Sequence, residues 1–209
     1  MKPKSQADPA GQITCTYWAD LMVRESGTDT PDPDDAVLVP LSPGQARPAC
    51  TARRIAGSVA LETEGYALDG RKGRFLIWFA SDPNGAMAFK VIDARGGRIL
   101  FEDGVSPALG QSGVASLGPG VLRLRYRRGY NAACSIMKDG RACWSKLVAQ
   151  GKVSPALPPL DRTACKVAYK GVAADDPSVI LYDVEATIDA SGGQSHISPR
   201  GPAACLPTP

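Results

Sequence analysis

Histidine is almost missing from this chain: His196 is the one imidazole in 209 residues. A single imidazole excludes metal centres built on paired histidines, and it lies in the polar stretch Ser191 to Ser198, a poor place to preorganise Ser/His/Asp chemistry. No two cysteines stand in C-x-x-C spacing, which removes zinc-ribbon and thioredoxin-type motifs. The signatures G-x-x-x-x-G-K-S/T, H-E-x-x-H and G-x-S-x-G are absent, as is G-x-G-x-x-G in a strand–helix–strand setting, so nucleotide and zinc-hydrolase chemistry are set aside. An excess of one charge is lacking too. With 24 basic and 21 acidic residues, the global field gives no reason to expect nucleic acid or an anionic membrane as an obligate partner. No apolar run approaches the length of a membrane span. Nor does an apolar segment follow Met1-Lys2-Pro3-Lys4, so the numbered chain is read as a mature form whose export signal has been removed.

What the chain does have is punctuation. Its 22 glycines and 18 prolines break up apolar runs instead of forming one tract, which predicts many short elements. The organising stretch is Arg74 to Phe101, where R-F-L-I-W-F-A, A-M-A-F-K-V-I-D-A and R-I-L-F are separated by S-D-P-N-G and R-G-G. Breaks that short cannot hold a helix, so three antiparallel strands are expected, with Phe75 to Ala80 covered on both faces. Further strands are expected over Gln12 to Val23, Ala36 to Leu41, Ile55 to Leu68, Val121 to Arg128, Ala164 to Gly171 and Ser178 to Asp189. The Val105 to Gly120 stretch reads as a crossover or binding loop. Together these give an all-β protein, an antiparallel β-sandwich or jelly roll of about ten short strands. The expected organisation is a flexible segment over residues 1–11, one domain over 12–190 and a proline-rich tail over 191–209.

Six scattered cysteines, Cys15, Cys50, Cys134, Cys143, Cys165 and Cys205, point to three disulfides and hence to a secreted or periplasmic setting. Cys15 with Cys50 and Cys165 with Cys205 are the simplest pairings among 15 connectivities. Cys134 and Cys143 fall opposite each other if Met137 to Gly140 form a hairpin loop with Gly140 at positive φ.

The sharpest constellation is Arg123, Arg125 and Arg127, joined at the strand end by Arg128. Alternate residues of a strand project from one face about 6.8 Å apart, so the guanidiniums form a ladder suited to successive phosphates, sulfates or carboxylates. The plainer reading is that they pair across the sheet, because Asp183 and Glu185 have the same spacing and opposite charge. Those two acids, or Glu62 with Glu64, could instead be the general acid and nucleophile of a glycosidase. The acidic loop Asp29, Asp32, Asp34, Asp35 lacks a calcium-loop register, and Asp82 with Asn84 reads as turn chemistry. Ser135-Ile136-Met137-Lys138 matches S-x-x-K, but on a hairpin it would be coincidental. Trp18, Trp78, Trp144, Tyr66 and Tyr130 offer either a sugar platform or core packing.

These features imply a non-catalytic binding module with no cofactor and no metal. Its expected partner is a protein in an envelope or surface assembly, or an anionic polysaccharide held by Arg123, Arg125, Arg127 and Arg128. A carbohydrate-active enzyme using a strand-borne carboxylate pair is the alternative.

Overall fold

The fold follows from a computed structural model that describes residues 3–27, 36–53, 55–80, 87–106, 113–191 and 195–208. It is all-β, with two antiparallel sheets, short helices and three disulfides. The first sheet holds β1 (Lys4–Ala7), β2 (Ile13–Tyr17), β3 (Leu21–Ser26), β4 (Ala36–Pro40) and β5 (Val59–Ala60), in that order. The second contains β6 (Ala67–Lys72), β7 (Phe75–Ala80), β8 (Met87–Asp93), β9 (Ile99–Val105), β10 (Gly113–Gly118), β11 (Val121–Asn131), β12 (Ser178–Asp189) and β13 (His196–Pro207). Its order is β13-β12-β11-β9-β8-β7-β6, with β10 also paired to β11. The expected meander is therefore β7, β8 and β9.

Contacts divide the chain into two units, Met1–Phe79 with Lys90–Leu100, and Ala80–Phe89 with Phe101–Pro209. In the first, β3 is buried from Leu21 through Arg24, so both of its faces are covered. One face places Leu21, Val23 and Leu38 against Leu76, Trp78 and Ile92, which is sheet-on-sheet packing. The other places Met22, Val37 and Val39 with Cys15, Tyr17 and Cys50, under Leu41 and Ile55 of the proline-rich excursion. The Cys15–Cys50 bridge clips that excursion down, with Cα atoms 5.7 Å apart. Arg24 finishes the clip: its Nη1 donates to the carbonyls of Ala52 at 3.2 Å and Arg53 at 3.0 Å. The R-G-G break turns β8 into β9 through Gly97 at φ +71°. A Cβ there would sit 2.8 Å from Leu61 Cδ2, so both conformation and space require glycine.

In the second unit β12 occupies the expected Ser178 to Asp189, and β11 runs on to Asn131. Leu122, Leu124 and Tyr126 are buried, and Arg123, Arg125 and Arg127 take the opposite face, as the alternation predicts. Phe89 packs on Tyr126 edge-on, with ring centroids 4.9 Å apart.

Between β11 and β12 the structure departs from the sequence reading. Cys134 to Cys143 is not a hairpin: it holds α1 (Ile136–Asp139) and the start of α2 (Arg141–Ala149), joined through Gly140 at φ +55°. The bridge forms all the same, with Cα atoms 5.8 Å apart. Cys143, Trp144 and Leu147 are the buried stripe of α2, a helical spacing that the Asp139-Gly140 turn signal masked. Ala164 to Gly171 is not a strand either. Asp161 caps α3 (Arg162–Cys165) by accepting from Thr163 N at 2.9 Å and Ala164 N at 3.2 Å. Turns follow, and Cys165 is bridged to Cys205 of β13.

Other segments differ as well. Ile55 to Leu68 is broken into β5 and β6 by a turn after Thr63, where Tyr66 N donates to Thr63 O at 2.7 Å. Gln12 to Val23 is the β2–β3 hairpin. The loop expected over Val105 to Gly120 contains β10, and Lys4–Ala7 and His196–Pro207 are strands in segments whose polarity and prolines argued for none. Both lie at the margin of a sheet, where a strand needs no apolar face and tolerates proline. The acidic stretch Asp29 to Asp35, with Asp82 and Asn84, lies outside the described residues.

Candidate functional site

Register decides what the arginines meet. Along β11 and β12, Arg123 lies opposite Thr187, Arg125 opposite Glu185 and Arg127 opposite Asp183. On the far side, β13 sets His196 beside Thr187, Ser198 beside Glu185 and Arg200 beside Asp183. Because directly opposed residues share a face, one surface carries Arg123, Arg125, Arg127 and Arg200 with Asp183 and Glu185. Glu185 is the hub. Arg125 Nε donates to it at 2.8 Å, Arg200 Nη2 lies at 3.2 Å and Arg123 Nε at 3.7 Å. Arg127 Nε stands 3.7 Å from Asp183. The Arg125 hydrogen bond, helped by the charges of Arg200 and Arg123, holds the Glu185 carboxyl below the usual carboxylate range.

Four guanidiniums thus share two carboxylates, and the pairing is loose. The Nε atoms of Arg123 and Arg127 are shut off from water yet hydrogen-bonded to no described residue. Arg125 and Arg200 keep 67% and 61% of their side-chain surface exposed. Cross-strand pairing, the plainer reading of the ladder, is therefore real here but consumes only part of its cationic capacity.

Arg128 does not belong to this surface. It projects with Leu122, Leu124 and Tyr126 and lies opposite Tyr182, which is fully buried. Its Nε donates to Asp103 Oδ1 at 2.8 Å and its Nη1 to the Tyr182 hydroxyl at 2.7 Å. The Tyr126 hydroxyl donates to the other oxygen of Asp103. Burial, then the Asp103 charge, pushes the Tyr126 phenol far above the ordinary tyrosine range, so it stays a donor. Arg128 is thus a member of an interior polar network, and Arg200 takes its place on the outer face. Sequence reasoning missed Arg200 because Ser198-Pro199-Arg200-Gly201-Pro202 reads as a tail; prolines that fix extended backbone also suit an edge strand.

The remaining candidates separate. Glu62 and Glu64 are exposed and lie outside any strand, flanking Thr63 at the turn between β5 and β6. Asp183 and Glu185 share a strand face, but each is held by arginine. Trp78 and Trp144 are core residues, Arg71 lies over Trp18 and Lys90 over Tyr66, so these rings do not form an open platform. Ser135 does start a helix, where its hydroxyl accepts from Lys138 N and donates to Ala174 O at 2.6 Å; Lys138 itself is exposed. All six cysteines are bridged. Among the described residues no three His, Cys, Asp or Glu side chains converge on a metal-sized site, and no helix is long and apolar enough to cross a membrane. No protein-family model, curated protein or solved structure matches the chain.

Proposed function

We propose that this is an exported, non-catalytic binding module whose outer β11–β13 face grips an extended polyanion of the anionic-polysaccharide class. One observation carries the reading: Arg123, Arg125, Arg127 and Arg200 share a face and pair with two carboxylates, Asp183 and Glu185, among the described residues. Exposed ion pairs of this kind are worth about 0–1 kcal/mol each, so a sulfate or carboxylate on a polymer can replace Glu185 or Asp183 at little cost. The strand repeat of about 6.8 Å between alternate arginines then matches a polymer with regularly spaced charges better than a compact anion. Three disulfides support export to an oxidising compartment. A protein partner adding a strand beside β13 is less well served, because Pro199, Pro202 and Pro207 cannot donate to a new neighbour. Turnover by Asp183 and Glu185 is less well served as well, since both carboxylates are engaged by arginines.

The test is retention on a sulfated-polysaccharide column across a salt gradient. Wild type should elute late and the Arg123→Ser/Arg125→Ser/Arg127→Ser variant early, with matching circular dichroism. Co-elution of the two would mean the arginines are structural, and the reading would be withdrawn.

A further inference from the structure

The chain as a whole carries a net charge of +3, yet that charge is not spread evenly. Between Ala132 and Pro177, the excursion that leaves β11 and returns to β12, there are seven cations: Lys138, Arg141, Lys146, Lys152, Arg162, Lys166 and Lys170. Four acids, Asp139, Asp161, Asp175 and Asp176, oppose them, and all seven cations are exposed. That surplus of three equals the whole chain's +3, so the other segments together are neutral.

Apolar exposure gathers in the same place. Three large hydrophobic side chains are exposed among the described residues, and two of them, Val167 at 88% and Val172 at 37%, belong to the turns after α3. The third, Leu206, adjoins Cys205, the bridge partner of Cys165. Local geometry explains why Val167 stands out. Cys165 is held inward by its disulfide, and Tyr169, four residues on, is held inward by hydrogen bonds from its hydroxyl to Asp176 O at 2.9 Å and with Ser178 Oγ at 2.7 Å. Tyr169 N donates to Cys165 O at 3.1 Å, so the intervening turn is helical. At about 100° per residue, the midpoint of such a turn is aimed away from both anchors. The chain puts valine there, between Lys166 and Lys170. Arg162, one turn earlier, donates to the Lys138 carbonyl, which brings the end of α1 to the same corner.

From this we infer that the α3 corner is a peripheral docking surface for an anionic lipid bilayer, with Val167 entering the headgroup boundary and Lys138, Arg162, Lys166 and Lys170 meeting phosphates. Charge complementarity selects an anionic surface; an apolar tip pinned outward at two points selects a surface with an oily layer beneath it over a wholly water-soluble polymer. The corner is separate from the arginine face, since Lys138, Arg162, Lys166, Val167 and Lys170 all lie outside β11–β13.

Co-sedimentation of the full-length protein with phosphatidylcholine vesicles, with and without 30% phosphatidylglycerol, tests this. Pelleting is expected only with the anionic vesicles and should fall as salt rises. Lys166→Ser/Lys170→Ser should weaken partitioning about thirtyfold, at roughly fivefold per cation removed. Val167→Ser should weaken it about fivefold to tenfold through lost apolar burial, and Arg125→Ser/Arg127→Ser should leave it unchanged. Lys166, Val167 and Lys170 are exposed and Arg127 is half-buried, so folding of every variant is checked by circular dichroism and thermal melting. No pelleting of wild type, equal pelleting with both vesicle types, or an undiminished lysine variant would overturn the inference. So would an undiminished Val167→Ser variant, which would reassign the lysines to a soluble polyanion, or loss of binding in the arginine variant, which would move the contact to β11. Column retention does not involve Val167, so failure of one proposal leaves the other standing.

Discussion

Arg125 and Arg128 stand three residues apart on one strand, and each donates its Nε to a carboxylate at 2.8 Å. The contacts are alike and the settings are not. Arg125 is 67% exposed and shares its acid with two other guanidiniums; Arg128 is 22% exposed and sits between Asp103 and two tyrosines. In water an ion pair is a weak contact that ligands can replace, whereas inside the protein the same contact fixes both groups because burial removes water as a competing partner. One strand thus presents a fixed network on its inner face and an exchangeable one on its outer face.

The largest effect should come from breaking the inner network. Asp103→Ala strands Arg128 and removes the acceptor of Tyr126, and should cost about 3 kcal/mol of unfolding free energy, read from urea denaturation. The double change Asp103→Leu/Arg128→Met should recover the share of that loss due to the stranded guanidinium, because apolar residues of similar size need no partner, while Tyr126 stays without its acceptor. A cost under about 1 kcal/mol for Asp103→Ala would put both arginines in the same class and erase the contrast.

Glu185→Gln probes the outer face and should separate stability from binding. It removes the charge that Arg123, Arg125 and Arg200 share, so stability in urea denaturation should barely change. Retention on the sulfated polymer should increase, because the internal competitor for the guanidiniums is gone. Weaker retention would mean that Glu185 positions the arginines instead of competing with the ligand.

Acid should do reversibly what that substitution does permanently. Glu185 has a lowered folded-state pKa, so its contribution to stability is present above the unfolded value and is lost as pH falls through the folded one. Sulfate esters stay ionised over that window. Polymer retention should therefore rise below the usual glutamate range of about pH 4, while the Glu185→Gln variant should show a flatter profile.

How much of this was legible in the chain depended on which period governed each segment. Strict alternation fixed the bounds of β12, the start of β11 and the outward ladder, because a sheet with one wet face writes polarity directly at period two. The same rule failed at Cys165, Val167 and Tyr169, which alternate like a strand. Two are anchors one helical turn apart, and the valine between them is exposed. The Asp161 cap was the available signal. Asp139-Gly140 misled in the same way, since a dipeptide suited to a hairpin also suits a junction between two short helices. Arg128 was misplaced by its adjacency to the ladder: the alternation that sends Arg127 out turns Arg128 in with Leu122, Leu124 and Tyr126.

Glu25 supplies the smallest effect and the opposite sign. Its carboxylate accepts from Leu68 N at 2.8 Å, and burial, only partly offset by that hydrogen bond, raises its pKa. For an acid raised on folding, the folded state holds the proton longer than the unfolded chain does. Stability is then full below the unfolded value and declines as pH rises through the folded one. Glu25→Gln keeps an acceptor for Leu68 N and removes the charge. At pH 7 it should raise Tm by about 1 °C, the scale of a few tenths of a kcal/mol in a chain of this size, and at pH 4 the gain should vanish. Glu185→Gln should show no such gain at pH 7, since there the charge being removed has cations around it. If the two variants shifted Tm in the same direction with the same pH profile, cation pairing would not be what distinguishes these carboxylates.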